Sequence, residues 1–440
     1  MAFCFTDCFC VSLAPPTVTR GSIRVENGLI SEIGADVTPA TDDEVISLEG
    51  GVIMTGLVVG HHHLYSALAR GMPAPPCAPQ NFTQILEKIW WVLDRCLDKE
   101  SVELSALVGL LSAVRCGATT VVDHHASPSC TTGSLNMLGD AFRKIGVRGV
   151  LCYETSDRAG REEAERGIAE NKRFAEANQE SKLLRGTVGA HASFTLSDAS
   201  LKEISEVCAQ LHLGIHIHLL EGSADREVSI KEYGSDPIKR LIDFGLLNEK
   251  SLLVHGVHMQ PEEIDMVAKS GATLIHNGRS NMNNRVGRSP LGLMEKAGVK
   301  IALGTDGIDG DILTEARCAF FRGSEESSPP SFGLSLDMLA QSQAIVAESF
   351  NQPIGKMEVG APADFTILDY NPQTPMHENN LAGHLIFGGL GPENVRSVMV
   401  NGDFILRDRK FVHIDTQTVY KQSRSAAERL WADIEKTWNK

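Results

Sequence analysis

The sequence has little positive charge and no long apolar run. Lys and Arg number 41 against 56 Asp and Glu, which gives a formal charge of −15 with neutral histidines. A chain this acidic repels phosphate backbones and anionic lipid headgroups, so we expect neither a nucleic acid nor a membrane surface as a partner. No apolar stretch approaches the ~20 residues that a membrane-spanning helix requires. The composition therefore disfavours these two classes of partner and describes an ordinary globular chain.

Cysteine pairs of the CxxC type are also missing. The 10 cysteines are dispersed along 440 residues, which predicts reduced, mostly buried thiols and a cytoplasmic location. The first residues have some features of a secretion signal, but basic residues are missing there and Asp7 interrupts the apolar stretch, so we interpret them as a β-strand. Cys4, Cys8 and Cys10 are then expected to pack on that strand, with a metal cluster as the alternative.

Both ends of the chain carry short alternating apolar patterns that are typical of β-strands. Asn27-Gly28 and Asn401-Gly402 are favourable hairpin turns between such patterns. Because the middle of the chain has a different character, we predict one small β-sandwich domain built from residues 1–56 and 358–415. Residues 416–440 have the pattern of an amphipathic surface helix.

The middle of the chain, residues 57–357, alternates short apolar runs with helical patterns. The eight runs span residues 57–60, 119–123, 150–153, 186–191, 214–218, 252–255, 272–276 and 300–305. Eight such runs separated by helices predict an α/β fold with a parallel (β/α)8 TIM-like barrel. Helical patterns include residues 84–98, and the proline-rich segment 73–79 before it predicts a functional loop.

Histidines concentrate at the ends of these runs. The carboxyl ends of the strands share one face of a parallel barrel, and active sites lie on that face. His61, His62 and His63 follow the first run. Strand side chains alternate, so His61 and His63 share a face while His62 points away. Two imidazoles on one face are a chelating pair for a metal ion; a polar strand end near solvent is the alternative.

The fifth run carries a second pair followed by a carboxylate. His216 and His218 share a face, and Glu221 lies three residues beyond His218. Glu221 reaches the histidines only if the strand ends near Leu219 and the chain turns into the barrel mouth. A carboxylate at that position is suited to proton transfer. The alternative is that Glu221 opens the next helix, where the helix dipole favours acids.

Two further groups follow the sixth and eighth runs. His255 ends the sixth run, and Asp306 comes directly after the eighth. An Asp before Gly is commonly a turn residue or a helix cap. Its position on the same barrel face nevertheless favours a role in the site.

Together these motifs, "GLVVGHHHL", "HIHLLE", "VHG" and "LGTDG", resemble those of the amidohydrolase superfamily, in particular its mononuclear deaminase and chlorohydrolase branch. The resemblance covers nearly the whole chain, and "GHHHLYSALARGM", "VVDHHASP" and "HNGRSNMNN" are similar to SsnA-type aminohydrolases. It implies one divalent metal ion, with zinc favoured and iron as the alternative. The implied metal ligands are His61, His63, His218 and Asp306. The fourth run ends at His191 without a nearby Lys, unlike the two-metal branch, which bridges its metals through a carboxylated Lys.

The resemblance also implies catalytic roles. Glu221 matches the proton shuttle, His255 matches the imidazole that orients the attacking water, and Asp306 helps to protonate the departing ammonia. His216 is interpreted as a partner of a metal ligand. Four residues are candidate substrate contacts: His191, Tyr65, Arg70 and His125. The alternative for His125, as for Asp123 and His124 beside it, is a structural hydrogen bond at the barrel rim. The alternative for Tyr65 and Arg70 is a position on the solvated surface. Of the adjacent Trp90 and Trp91 we expect at most one to face the pocket, because helix neighbours point about 100° apart.

The expected reaction is the hydrolytic deamination of a small nitrogen heterocycle with release of ammonia. An amino-purine or pterin-like ring is favoured through the resemblance. One alternative is a hydrolase of the same fold that acts on another C–N or C–Cl bond, such as a chlorohydrolase, an alkylaminohydrolase or a cyclic amidase. Another is a catalytically inactive binding scaffold, which the complete set of implied ligands disfavours. The resemblance further implies a homodimer or a higher homo-oligomer.

Overall fold

The computed structural model describes residues 2–439 of the chain. Five strands precede the barrel: β1 (Phe3–Leu13), β2 (Pro16–Glu26), β3 (Leu29–Gly34), β4 (Glu44–Ser47) and β5 (Val52–Thr55). Between β2 and β3, Asn27 and Gly28 both have positive φ, of 53° and 82°. A two-residue hairpin turn of this kind requires that backbone, so the predicted turn is confirmed.

The middle of the chain forms a ring of parallel strands. These are β6 (Leu57–His62), β7 (Ala118–His125), β8 (Arg148–Tyr153), β9 (Leu184–Gly186), β10 (Val188–Ala192), β11 (Ile215–Leu219), β12 (Leu252–His255), β13 (Thr273–His276) and β14 (Lys300–Leu303). They pair in the orders β6-β7-β8-β9 and β10-β11-β12-β13-β14. Only Thr187 separates β9 from β10, so the nine segments occupy eight strand positions. Parallel bridges from Thr155 to Ala190 and from His62 to Asp306 link the two sheets. The predicted α/β barrel fold is confirmed.

Strands from the two chain ends pair in one further sheet. The last four strands are β15 (Phe365–Leu368), β16 (Val395–Val400), β17 (Asp403–Arg407) and β18 (Lys410–Phe411). β15 pairs antiparallel with β5, which gives the order β18-β17-β16-β15-β5-β1-β2-β3 with β4 beside β1. Cys4, Cys8 and Cys10 are buried on β1, as the strand interpretation predicts. The domain boundaries 1–56 and 358–415 stay predictions.

Helices occupy the intervals between the barrel strands and the end of the chain. They are α1 (Phe82–Ile85), α2 (Trp91–Cys96), α3 (Lys99–Arg115), α4 (Ser134–Ile145), α5 (Arg161–Ala177), α6 (Asp198–Leu211), α7 (Ser223–Tyr233), α8 (Pro237–Asp243), α9 (Pro261–Ser270), α10 (Gly278–Asn283), α11 (Leu291–Ala297), α12 (Ile312–Gly323), α13 (Leu334–Phe350), α14 (Leu381–Phe387) and α15 (Thr416–Trp438). A π-helical turn, Leu86–Trp90, joins α1 to α2. Within residues 2–439 no helix has the length and apolarity to cross a bilayer. Positions 1 and 440, which the predicted terminal elements include, lie outside the described residues.

Candidate metal centre and cavity

Four imidazoles and two carboxylates converge at the carboxyl ends of the barrel strands. His63 Nε2 lies 3.1 Å from His218 Nε2 and 3.4 Å from Asp306 Oδ1. His255 Nε2 lies 3.6 Å from Asp306 Oδ2. The donor atoms of His61, His63 and Asp306 all lie within 4.8 Å of one another. The structure thus brings together side chains from β6, β11, β12 and the residues after β14.

The hydrogen bonds of two histidines fix where their protons are. His63 Nδ1 is 2.6 Å from the carbonyl oxygen of His124, and His218 Nδ1 is 2.9 Å from that of His191. A carbonyl oxygen only accepts, so each Nδ1 carries the hydrogen and each Nε2 presents a lone pair. Two lone pairs 3.1 Å apart repel unless a cation lies between them. This arrangement fits a metal ion.

Two more buried nitrogens also fit a cation. His61 Nε2 and His255 Nε2 have no hydrogen-bond partner within residues 2–439, although both are buried. An unpaired buried polar atom is costly. Burial, together with His63 and His216, holds the pKa of His61 well below its usual value, so the imidazole is neutral and able to coordinate. Burial opposes ionisation of Asp306, but His63 and His255, together with hydrogen bonds from Ser280 and from the N–H of Gly307, lower the pKa of that carboxyl.

Three neighbours hold these candidate ligands in place. His216 Nε2 lies 2.9 Å from His61 Nδ1, the position in which a partner orients a metal-binding imidazole. The Ser280 hydroxyl donates to Asp306 Oδ2 at 2.7 Å. His62 points away from the pair beside it and lies 2.9 Å from the hydroxyl oxygen of Thr305. The alternation predicted from the sequence accounts for His62.

Glu221 reaches the centre through a sharp turn. β11 ends at Leu219, and Leu220 has a φ of 50°. The Asp225 carboxylate accepts the N–H of Leu220 at 2.8 Å and stabilises this turn. Glu221 Oε2 thereby lies 3.4 Å from His255 Nε2, and Glu221 Oε1 accepts the Asn284 amide at 3.1 Å. Burial, with a contribution from Asp306, raises the pKa of Glu221 well above its usual value, which suits a group that takes and gives protons.

A cavity that is open to solvent adjoins this centre. Its wall is largely apolar and aromatic, with polar groups at the metal end. The apolar and aromatic wall residues include Tyr65, Phe82, Leu86, Trp90, Trp91, Phe194 and Ile308. The expectation that at most one tryptophan faces the pocket is wrong. It assumed α-helical geometry, whereas Trp90 ends a π-helical turn and Trp91 begins the next helix.

Two of the four predicted substrate contacts line the cavity and two do not. His191 and Tyr65 are wall residues. Arg70 is exposed outside the cavity, because the 3₁₀ turn Leu64–Ala69 carries the chain away from the barrel mouth. His125 is buried, and its Nε2 lies 2.8 Å from the hydroxyl oxygen of Ser127. The structural alternative therefore describes His125 better.

The rim residues beside His125 also have structural partners. The Asp123 carboxylate accepts the N–H of Leu64 at 2.7 Å. His124 Nδ1 lies 3.2 Å from Glu154 Oε2. Glu154, which sequence reasoning missed, lines the cavity directly after β8. Its signal was available, since a carboxylate follows the third run just as Asp306 follows the eighth.

Sequence comparison decides the family. Residues 52–405 match the profile described as "Amidohydrolase family". The chain belongs to the amidohydrolase family. As an amidohydrolase it is an enzyme that hydrolyses carbon–nitrogen bonds, and its buried His/Glu/Asp cluster supports a divalent metal ion.

Two named relatives match this amidohydrolase along most of its length. A 5-methylthioadenosine/S-adenosylhomocysteine deaminase of Pyrococcus furiosus is 29% identical over 409 residues, which cover 92% of this chain and 94% of that protein. A 5'-deoxyadenosine deaminase of Methanosarcina mazei is 28% identical over 425 residues and covers 95% of each chain.

Solved structures share the fold of this amidohydrolase. An adenosine deaminase from Xanthomonas campestris with bound zinc has a TM-score of 0.86 at 22% identity and covers 97% of this chain and 98% of its own. An atrazine chlorohydrolase from Arthrobacter aurescens complexed with zinc has a TM-score of 0.80 at 18% identity. The match covers 97% of this chain and 100% of the chlorohydrolase chain. At these identities the likeness establishes the fold.

Proposed function

We propose that this amidohydrolase deaminates a purine-type heterocycle, replacing a ring amino group by oxygen and releasing ammonia. The observation that carries the proposal is Glu221, which turns into the cavity with its carboxylate 3.4 Å from His255 Nε2, beside the metal donors. The names of the relatives support it, because they describe deaminases of adenosine derivatives that match over nine-tenths of the chain.

We assign the metal site to His61, His63, His218 and Asp306, and propose that it holds one zinc ion. Three imidazoles and one carboxylate are a common donor set for zinc. The zinc-bound adenosine deaminase and chlorohydrolase support this choice of metal. When bound, the cation supplies a Lewis acid that makes water a stronger acid at neutral pH.

The protein's own residues move the protons. Glu221 accepts a proton from the attacking water and delivers it to a ring nitrogen of the substrate. His255 orients that water between the Glu221 and Asp306 carboxylates, from which its Nε2 lies 3.4 and 3.6 Å away. The second water proton goes to the leaving amine with the help of Asp306. The water oxygen stays on the ring carbon, and ammonia departs.

Ammonia release tests this proposal directly. Purified protein with measured zinc content is assayed with a panel of aminopurines, their nucleosides, pterins and aminotriazines. We expect release on purine-type rings and its loss in Glu221→Gln, which removes the proton carrier while all four assigned ligands remain. If the zinc-bound protein releases no ammonia from any compound of the panel, this result would contradict the deaminase proposal and favour another leaving group. Equal release by Glu221→Gln would contradict the role of Glu221.

A further inference from the structure

We infer that Glu154 determines which ring this enzyme accepts, by receiving a hydrogen bond from an N–H or amino group carried on the reacting ring itself. The inference rests on the proposed deaminase function. Glu154 follows β8 and lines the same cavity as Glu221. Its carboxylate lies within 4.8 Å of the donor atoms of His63 and His218. Two carboxylates therefore flank the metal donors, one on the β8 side and one after β11.

Two neighbouring side chains hold the Glu154 carboxylate in place. Its Oε1 accepts Arg158 Nη2 at 3.3 Å, and its Oε2 lies 3.2 Å from His124 Nδ1. Arg158 also donates to Asp94 at 3.0 Å and stacks 4.8 Å from the centre of the Trp91 ring. An ionised carboxylate offers about four acceptor sites. The described residues use two of them, so acceptor capacity remains for a group in the cavity.

The position of Glu154 restricts what it meets. A carboxylate this close to the metal donors faces the ring that undergoes hydrolysis, or a substituent directly attached to it. A remote sugar or side chain lies farther away. An ionised carboxylate only accepts hydrogen bonds, so it attracts a ring N–H or amino group and repels a bare ring nitrogen.

The charged residues that line the cavity also restrict the substrate. Among residues 2–439 no Lys or Arg lines it, whereas Glu154, Glu221, Asp225 and Asp306 do. Apart from the assigned metal ion, a carboxylate or phosphate on the substrate therefore finds no counter-ion in the cavity wall. The substrate class that fits is an uncharged aminopurine-type ring with a second donor next to the reacting one, such as a 2-amino-substituted purine.

A matched pair of substrates tests this inference. 2,6-Diaminopurine and adenine differ by one amino group, as do their ribosides. We expect the zinc-loaded enzyme to have a higher kcat/KM for the 2-amino member of each pair, measured by ammonia release. Glu154→Gln should reduce that preference on the order of 10-fold, since a hydrogen bond to a charged group is lost. Glu154→Asp, which keeps the charge but shortens the side chain, should give an intermediate preference.

Glu163→Gln is the matched control. Glu163 is another buried carboxylate beside β8, but it accepts the hydroxyls of Tyr153 and Thr131 and does not line the cavity. This variant should leave the preference unchanged. A wild-type preference for the unsubstituted ring, or a preference that Glu154→Gln does not alter, would overturn the inference.

Binding to Glu221→Gln separates the two proposals. Calorimetric titration of this variant with both rings should give tighter binding of the 2-amino ring, and the advantage should disappear in Glu154→Gln/Glu221→Gln. If binding shows this pattern while no ring releases ammonia, the deaminase proposal fails and the role of Glu154 stands. If ammonia is released without any ring preference, the role of Glu154 fails and the deaminase proposal stands.

Discussion

At the residue scale, the site depends on which nitrogen of each imidazole carries a proton. Backbone carbonyls fix His63 and His218 through Nδ1. His61 has a side-chain partner instead, since its Nδ1 lies 2.9 Å from His216 Nε2. Orientation of a metal ligand by a second residue contributes to metal affinity. His216 therefore has a measurable role although it is not among the assigned ligands.

Replacing His216 with Phe should lower zinc affinity about 10- to 100-fold, because His61 loses the partner that sets its orientation. The dissociation constant measured by competition with a chelator checks this. His125→Phe is the control, because His125 is buried in the same region and bonds to Ser127. Equal losses in both variants would indicate general damage to packing and contradict the specific role of His216.

Asp225 makes folding stability depend on pH. Burial raises the pKa of this carboxyl from 3.8 to about 7. Below pH 4 it is protonated in both states. Between pH 4 and 7 this group is ionised only in the unfolded chain, so its contribution to the free energy of unfolding falls by about 1.4 kcal/mol per pH unit and levels off above pH 7. Asp225→Asn, which resembles the protonated form, should lack this fall. Urea unfolding of both proteins at pH 5 and pH 8 checks it, and a stability difference that is the same at both pH values would contradict it.

The sequence predicts site residues best where strand geometry dictates direction. Alternation places His61 and His63 on one face and His62 on the other, as the structure has them. The sequence does not predict the turn that brings Glu221 back, because this turn depends on the positive φ of Leu220 and on the Asp225 carboxylate five residues after Leu220. For Arg70 the solvated-surface alternative describes the structure, because a 3₁₀ turn with no sequence signature carries the chain away from the cavity.

At the element scale, the cavity wall depends on the C-terminal helix. The sequence predicts one helix over residues 84–98, but the structure has α1, a π-helical turn and α2 in sequence. The residues of the π-helical turn do not predict it, because a hydrogen bond from a residue far away in the sequence supports the turn. The indole N–H of Trp438 on α15 donates to the carbonyl of Lys88 within that turn at 2.7 Å. The same turn carries Trp90 into the cavity.

Trp438→Phe should loosen this wall without touching the metal donors. Loss of one hydrogen bond, about 1 kcal/mol, predicts a KM about fivefold higher with kcat nearly unchanged. Steady-state kinetics on the substrate found by ammonia release measures both. Asp433→Asn on the same helix, which removes only an exposed pair with Lys436, should leave KM as it is. A lower kcat at constant KM would contradict a role confined to the wall.

At the scale of the whole molecule, a buried ion pair joins the barrel to the sheet made from the chain ends. Arg148 begins β8 and donates to the Asp364 carboxylate at 2.6 Å, with both side chains at most 1% exposed. Asp364 also accepts the N–H of Asn401, in the hairpin turn between β16 and β17. The sequence predicts both hairpin turns and the barrel. It does not predict this pair, because 216 residues separate its members.

Arg148→Met should lower the free energy of unfolding by about 3–5 kcal/mol, because it leaves the Asp364 carboxylate buried without its cation. Urea unfolding measures this, with Arg429→Met as control. Arg429 forms an exposed pair with Glu100, and its loss should change stability by less than about 0.5 kcal/mol. The double variant Arg148→Met/Asp364→Asn should recover part of the loss, since no buried charge remains. Arg148 lies at the barrel end opposite the metal donors, so the kcat of the folded Arg148→Met variant should equal that of wild type. If this variant is as stable as wild type, the Arg148–Asp364 pair does not hold the barrel and the sheet together.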